Sequence, residues 1–260
     1  MVTALGRAAL SFISYIGELA ILVYDTIRAM MVAPIRWRLF SDQIVEVGWR
    51  SQFVVIVTGM FTGAVLTAQT FFQFALLGMK SGTGSVVAVS LFRELGPVLT
   101  GLMVAGRVGA AIAAEIGTMK VTEQIDALRS LAVHPIDYLA VPRVLALIIS
   151  MPLLVAESIG LGICASYFVG VHILGISGPF FLENLYRYLG ARDIKMALCK
   201  AFCFGVVIAF VSCHQGLNAK DGAVGVGRAP TEAVVISSLA ILVLNFFLTL
   251  LLNVIFPYGQ

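Results

Sequence analysis

The sequence predicts an all-α integral membrane protein, and its composition, its hydropathy and the pattern of its apolar runs carry that prediction. Of the 260 residues, 60% are hydrophobic and 12% are charged, whereas an ordinary soluble domain has about 45–50% and 25%. The mean hydropathy is +0.99, and the apolar runs lack the period-two alternation of an outer-membrane barrel. A helical bundle is therefore the expected architecture. The composition excludes a soluble enzyme, a disordered chain and a secreted disulfide scaffold.

Five stretches are long enough to cross a bilayer, which takes about 20 mainly apolar residues. The predicted transmembrane helices cover residues 53–77, 86–114, 144–174, 196–214 and 233–256 of a single domain. Region 1–50 differs. One face of its predicted helix is apolar, whereas the other faces carry Glu18, Asp25 and Arg28. A basic and aromatic belt follows this helix. This pattern predicts an interfacial elbow helix. A sixth span is the alternative.

The distribution of basic residues predicts the orientation. Ten basic residues lie in segments predicted to share one side of the membrane with the N-terminus, and four lie in segments on the other side. The positive-inside rule then places the N-terminus in the cytoplasm and the C-terminus outside. The ten are Arg7, Arg28, Arg36, Arg38, Arg50, Lys120, Arg129, Arg143, Lys220 and Arg228, and the four are Lys80, Arg187, Arg192 and Lys195.

Three charged residues lie inside the second predicted span, namely Arg93, Glu94 and Arg107. A charge at bilayer depth costs roughly 2.5–3.5 kcal/mol on insertion scales, so such groups normally face protein or water and pair. They are interpreted either as the polar lining of a transport cavity or as a brace within the bundle. Pro97 removes a backbone donor and predicts a kink just after the charged pair.

Small residues recur at every fourth position of the same span. Such a ridge lets helix backbones approach closely in lipid, so it predicts helix packing in the centre of the bundle or at a dimer seam. The ridge consists of Gly101, Ala105, Gly109, Ala113 and Gly117.

A polar segment, residues 115–135, follows the ridge. Val121, Ile125, Leu128 and Ala132 form an apolar stripe at helical spacing, with charged residues elsewhere around the helix. An amphipathic helix of this kind either lies on the membrane or docks in the groove of a partner protein.

The run from Phe92 to Pro135 closely resembles the signature of the MlaE permease family, and the similarity extends over about residues 5–256. That family supplies the membrane subunit of a bacterial ABC transporter that maintains outer-membrane lipid asymmetry, with relatives in chloroplast lipid import. The resemblance implies a homodimeric permease in the inner membrane that moves phospholipids to or from a periplasmic MCE-protein shuttle. The implied partners are two ABC ATPase subunits, a hexameric MCE-domain protein and, in some systems, a STAS-domain protein. ATP and Mg are expected on the ATPase, so this chain is expected to carry no cofactor and no catalytic residue.

The resemblance also implies two sets of functional residues. A cytoplasmic coupling helix would contact the ATPase, and a cavity between two permeases would hold the lipid. The implied coupling residues are Glu115, Lys120, Glu123, Gln124, Asp126, Leu128 and Arg129, and the implied cavity residues are Leu66, Gln73, Phe74, Leu77, Arg93, Glu94 and Lys200.

Other classes of protein are less compatible with the sequence. An ion-coupled secondary transporter of an amphipathic or lipid substrate is the alternative, but no internal repeat supports it. An intramembrane enzyme is disfavoured because no HExxH motif occurs, and the four cysteines lack the spacing of a metal site. The run Gly222–Ala229 has P-loop glycine spacing but lacks the required Lys-Ser/Thr, and it is interpreted as a flexible loop.

Overall fold

The computed structural model describes residues 2–32, 36–220 and 222–257. Within these ranges the chain forms helices and no strand, and we number nine helices in chain order, joining segments that continue without a break. A short 3₁₀ turn, Trp49–Ser51, joins the second helix to the third. The helices are α1 (Val2–Val32), α2 (Trp37–Val47), α3 (Gln52–Leu76), α4 (Thr83–Val121), α5 (Gln124–Ser130), α6 (Ile136–Ile173), α7 (Gly178–Tyr188), α8 (Ala191–Leu217) and α9 (Ala223–Ile255).

Five helical stretches are long and apolar enough to cross a membrane, which confirms the predicted all-α membrane fold. They are α4, α6, α8, α9 and the continuous stretch of α2 and α3. Several extend beyond the predicted spans. The 39 residues of α4 correspond to about 58 Å of helix, against a hydrocarbon core of about 30 Å.

The prediction of a flexible loop at residues 222–229 is wrong. The structure places Ala223 at the start of α9, well before the predicted span begins at Ala233. Ala229 is buried, and its Cβ lies 4.0 Å from the position that a Cβ would occupy on Gly117 of α4. Packing against α4 therefore outweighs the weak helix preference of glycine.

Helix α1 is not among the stretches apolar enough to span a membrane. The predicted interfacial region 1–50 is described except for residues 1 and 33–35. On α1, Leu22, Thr26 and Ala29 are buried, while apolar side chains such as Ile13 and Ile21 are exposed. This division is typical of a helix at a membrane interface, and the interfacial placement stays a prediction.

Helices α6 and α8 form the centre of the bundle. Of the 18 most apolar consecutive residues in each of these helices, 67% are buried. The corresponding shares are 50% in α4, 22% in the continuous stretch of α2 and α3, and 17% in α9. Helix α3 packs closely on α6, because a Cβ on Gly63 would overlap the carbonyl oxygen of Gly162. The chain therefore has a packed interior and two lightly covered helices, α3 and α9.

The ridge of small residues on α4 faces α8 and α9. A Cβ on Gly101 would lie 3.4 Å from Phe204 of α8 and 3.5 Å from Ile241 of α9. A Cβ on Gly109 would lie 2.9 Å from the hydroxyl of Ser212 on α8. Ala105 and Ala113, the two alanines of the ridge, are completely buried. The ridge thus brings α4 close to both helices.

The polar segment at 115–135 is divided rather than continuous. Helix α4 runs on to Val121, and Glu123 then adopts a left-handed conformation with φ 59° before α5 begins. Ala132, beyond α5, also has a positive φ, 58°. The predicted stripe from Val121 to Ala132 is therefore not one helical face. We call the end of the bundle that carries this turn the α5 end and the opposite one, which carries α7, the α7 end.

Candidate functional site within the bundle

The candidate site is a charged cluster between α4, α8 and α9, centred on Lys200. The side chain of Lys200 is completely buried. Its Nζ lies 2.9 Å from Glu94 Oε2, donates to Thr249 Oγ1 at 2.8 Å and donates to the carbonyl oxygen of Arg93 at 2.6 Å. An ammonium group has three donors, so every one of them has a partner.

Pro97 explains why the backbone of α4 can bind this lysine. In an α-helix the carbonyl of Arg93 would accept from the N–H of residue 97, and proline has none. The residues just before Pro97, Leu91–Leu95, form a π-helical turn within α4. The π turn lies next to the position where the kink is predicted, and the kink stays a prediction. Lys200 binds the Arg93 carbonyl, to which Pro97 cannot donate.

Glu94 is held from α9 as well as from α8. Its Oε2 accepts from Asn245 Nδ2 at 2.8 Å and its Oε1 lies 2.9 Å from Thr249 Oγ1, while 39% of the side chain is exposed. Asn245, Thr249 and Asn253 are spaced four residues apart and so share one face of α9. At the α7 end, Asn253 Oδ1 accepts from Arg192 at 2.7 Å. A polar stripe thus runs along α9 towards the cluster.

Arg93 forms the second ion pair of the cluster. Its Nε lies 2.6 Å from Asp193 Oδ1, and Asp193 is buried and also accepts from the N–H of Gly190 at 3.0 Å. With Glu94 and Lys200, the four side chains carry two positive and two negative charges. Such mutual pairing is what allows charged groups to stay inside an apolar bundle.

The structure places Lys200 differently from the expected lipid contact. Because its three donors bind protein groups and its side chain is buried, its ammonium does not face a cavity in this chain. The side chains of Arg93 and Glu94 are 20% and 39% exposed, so the cluster faces outward through these two residues. Lys200 holds them together.

The four other predicted cavity residues lie along α3 and at its end, where Leu77 follows the last residue of the helix. Leu66, Gln73 and Leu77 lie on one face of α3 by their spacing. Gln73 and Leu77 are exposed, whereas Leu66 and Phe74 are half-buried. The ring of Phe74 lies 3.3 Å from the position of a Cβ on Gly82, so it covers the turn between α3 and α4.

Arg107 lies away from the cluster and braces the start of α3. Its Nη1 donates to Ser51 Oγ at 2.6 Å. This favours the structural interpretation of Arg107 over a cavity lining. A second π-helical turn of α4, Ala105–Gly109, contains this arginine.

The predicted coupling residues occupy the α5 end. Their polar members are largely exposed, whereas Ile125 is buried and Leu128 packs against the core, so α5 is attached through its apolar side. Glu115 belongs to α4 and lies 2.9 Å from the buried Arg143 of α6. Glu123, Gln124, Asp126 and Arg129 are exposed, Asp126 pairs with Arg129 at 2.9 Å, and Lys120 is half-buried.

Helix α1 reaches the same end of the bundle. Glu18 Oε2 lies 3.2 Å from His214 Nε2 and accepts from Asn218 Nδ2 at 3.1 Å. The ring of Tyr15 meets the His214 ring edge-on, with 4.7 Å between centroids. Burial raises the pKa of the Tyr15 hydroxyl. Glu18 thus ties α1 to the end of α8.

In the part of the chain that the structure describes, no group of three or more His, Cys, Asp or Glu side chains could hold a metal ion. The four cysteines are free thiols.

Four residues of the cluster escaped sequence reasoning, namely Asp193, Asn245, Thr249 and Asn253. Asp193 is near the start of α8, where it resembles an ordinary helix-capping residue. The three α9 residues carry a usable signal, because polar residues at a spacing of four in an apolar helix define one face. What the sequence does not supply is the helix that this face meets.

A bundle in which five helical stretches are long and apolar enough to cross a membrane identifies a multi-pass membrane protein. The chain belongs to the MlaE permease family: the family model described as "Permease MlaE" matches residues 40–251. It is thus a permease-type subunit, as the resemblance of the Phe92–Pro135 run implies.

Several relatives carry permease names. A probable ABC transporter permease protein of Rickettsia typhi is 43% identical over 247 residues, which cover 95% of each chain. A probable ABC transporter permease protein of Synechocystis is 43% identical over 211 residues, which cover 81% of this chain and 80% of the relative. The chloroplastic protein Trigalactosyldiacylglycerol 1 of Arabidopsis thaliana is 37% identical over 229 residues, which cover 88% and 65%.

Proposed function

We propose that this chain is the membrane subunit of an ABC transporter that moves phospholipids between the inner membrane and a periplasmic MCE-protein shuttle. A separate ATPase supplies the energy. The observation that carries the proposal is α5, a short helix attached through buried Ile125 that presents Glu123, Gln124, Asp126 and Arg129 to solvent. A self-sufficient transporter has no use for such a segment, whereas a permease driven by an ATPase needs one.

The proposed orientation follows the charge distribution. The α5 end lies in the cytoplasm with the N-terminus, and the α7 end lies in the periplasm with the C-terminus. The cluster then stands nearer the periplasmic side, since Asp193 is in the first turns of α8. This places the charged site close to where lipid would pass to or from the shuttle.

Phospholipid is the proposed cargo because the site combines partly exposed charge with an apolar face. The Arg93 guanidinium suits a headgroup phosphate, and Leu66, Phe74 and Leu77 on α3 suit acyl chains. The name of the Arabidopsis relative is that of a galactolipid, which supports a lipid rather than a water-soluble cargo. Lys200 holds the site in shape instead of binding the headgroup.

The proposed assembly is a homodimer of this chain with two ATPase subunits on the α5 end and a hexameric MCE-domain ring on the α7 end. A STAS-domain protein joins the ATPase in some such systems. The lightly buried α3 and α9 leave large apolar surfaces for lipid or for a second permease. ATP and Mg bind on the ATPase, and this chain carries neither.

The direct test is reconstitution of the chain with its ATPase and MCE partners in vesicles of labelled phospholipid. ATP-dependent movement of the label supports the proposal. Movement by this chain alone, dependent on an ion gradient and indifferent to the ATPase, identifies a secondary transporter and refutes it.

Charge reversal on α5 tests the coupling assignment separately. We expect Glu123→Lys with Asp126→Lys to detach the ATPase or to uncouple its activity without unfolding the permease, because both side chains are exposed and the pair of Asp126 with Arg129 is a surface one. Glu183→Lys, an exposed acid on α7, is the matched control. Unchanged ATPase binding and activity in the double variant contradict the assignment.

A further inference from the structure

A groove of about 580 Å³ lies at the α5 end, beside α5 and the end of α8. Its lining is basic on one part and apolar on another. Lys120, Arg129 and His134 supply the basic groups, and Ile125 and Leu217 belong to the apolar part. None of these residues takes part in the Lys200 cluster.

The basic groups come from three separate segments and so are brought together by the fold. Lys120 is the last residue but one of α4, Arg129 lies on α5, and His134 lies in the connection to α6. Lys120 has no ion pair or hydrogen bond from its side chain within the described part of the protein. Arg129 pairs with Asp126 at 2.9 Å, but 60% of its side chain remains exposed.

Ile136, the first residue of α6, lies on the wall, and the next residue is the acid Asp137. The amide of Asn218 on the same wall lies 3.1 Å from Glu18 Oε2 and 2.9 Å from His214 Nε2. The cationic part of the groove therefore consists of Lys120, Arg129 and His134, and it borders an apolar floor.

The contact with α1 bears on where the groove lies relative to the membrane surface. Helix α1 is too polar to qualify as a span, and it exposes Ile13, Ile16 and Ile21, which is the pattern of a helix in the headgroup region. Its Glu18 binds Asn218 of the groove wall at 3.1 Å, so the groove lies beside α1. The predicted interfacial placement of α1 would bring a lipid headgroup within reach of the groove.

We propose that this groove binds the phosphate of an anionic phospholipid, with Lys120 and Arg129 on the phosphate and the start of the acyl chains over Ile125 and Leu217. The site is distinct from the transported-lipid site, and its residues Lys120 and Arg129 are also among those expected to contact the ATPase. A phosphate-bearing amphiphile is the occupant because the lining offers both cationic and apolar surface. A free phosphate ester would use only the cationic part.

Lipid retention by the purified full-length chain tests this. Native mass spectrometry would follow a titration with phosphatidylglycerol, and in parallel with phosphatidylcholine and with water-soluble glycerol phosphate. Since each basic residue near an anionic headgroup contributes about fivefold in affinity, Lys120→Gln with Arg129→Gln should weaken phosphatidylglycerol binding by about 25-fold. Lys220→Gln with Arg228→Gln removes two exposed basic residues from the same end and is the matched control.

Selective loss of phosphatidylglycerol in the first variant, with thermal unfolding unchanged and the control unaffected, is the expected result. An equal loss of phosphatidylglycerol binding in the groove variant and in the control variant indicates a diffuse electrostatic attraction and overturns the proposal. Glycerol phosphate binding as tightly as the lipid overturns it in favour of a free anion. Unchanged lipid binding with loss of the ATPase from the same variant also overturns it, because the groove then serves the protein partner.

Discussion

The pairing of Glu94 with Lys200 predicts an asymmetric response to mutation. In Glu94→Gln, a completely buried ammonium loses its counter-charge, while the Arg93 carbonyl and the Thr249 hydroxyl remain as neutral acceptors. Removing one partner of a buried pair costs about 3–5 kcal/mol. In Lys200→Met, the remaining carboxylate is 39% exposed and still accepts from Asn245, so the expected cost is about 1–3 kcal/mol.

The assay is the free energy of unfolding of the purified chain in mixed micelles, measured by circular dichroism during denaturing-detergent titration. Lys195→Met changes an exposed lysine of the same helix and is the matched control. The double variant Glu94→Gln with Lys200→Met should cost less than the sum of the two single variants, because it leaves no unpaired charge. Additivity within about 0.5 kcal/mol, or a greater cost for Lys200→Met than for Glu94→Gln, would refute the reasoning.

Two further predictions concern the contacts that position the outer helices. Gly63→Ala places a methyl group against the Gly162 carbonyl and should lower the free energy of unfolding by about 1–3 kcal/mol. Gly160→Ala is the control, because its methyl group would point into open space, and it should not lower the free energy of unfolding. The same unfolding assay checks both variants. Glu18→Ala removes the bond to His214 and should speed hydrogen exchange in α1 while the exchange of α6 stays unchanged. Equal exchange of α1 in the wild type and the variant would show that this contact does not hold the helix.

The number of spans was predictable from the sequence because it depends only on the length of apolar runs. Their ends were not, since α4 and α9 continue as helices beyond the apolar stretches. The left-handed Glu123 that separates α4 from α5 also had no signal, because glutamate is an ordinary helix former. Helical spacing places residues on one face only while the helix continues. The apolar stripe predicted from Val121 to Ala132 is therefore not a single face, because α4 ends at Val121.

The candidate site was predictable in part. Arg93, Glu94 and Lys200 were identified because charges are rare in apolar runs. Their roles depended on partners far away in the sequence. Lys200 was expected to meet a lipid, and it binds Thr249 of α9 instead. A single sequence shows that a buried charge needs a partner, but the contact between helices decides which group that partner is.

The bond from Lys200 to the backbone carbonyl of Arg93 restricts how the bundle can move. Sliding α8 along α4 by one turn, about 5.4 Å, would separate the ammonium from its carbonyl, its carboxylate and its hydroxyl at once. Asn245 and Thr249 of α9 also bind Glu94, so the cluster ties α4, α8 and α9 together. A displacement that opens a path for cargo while the cluster stays intact must therefore occur outside the contacts among these three helices.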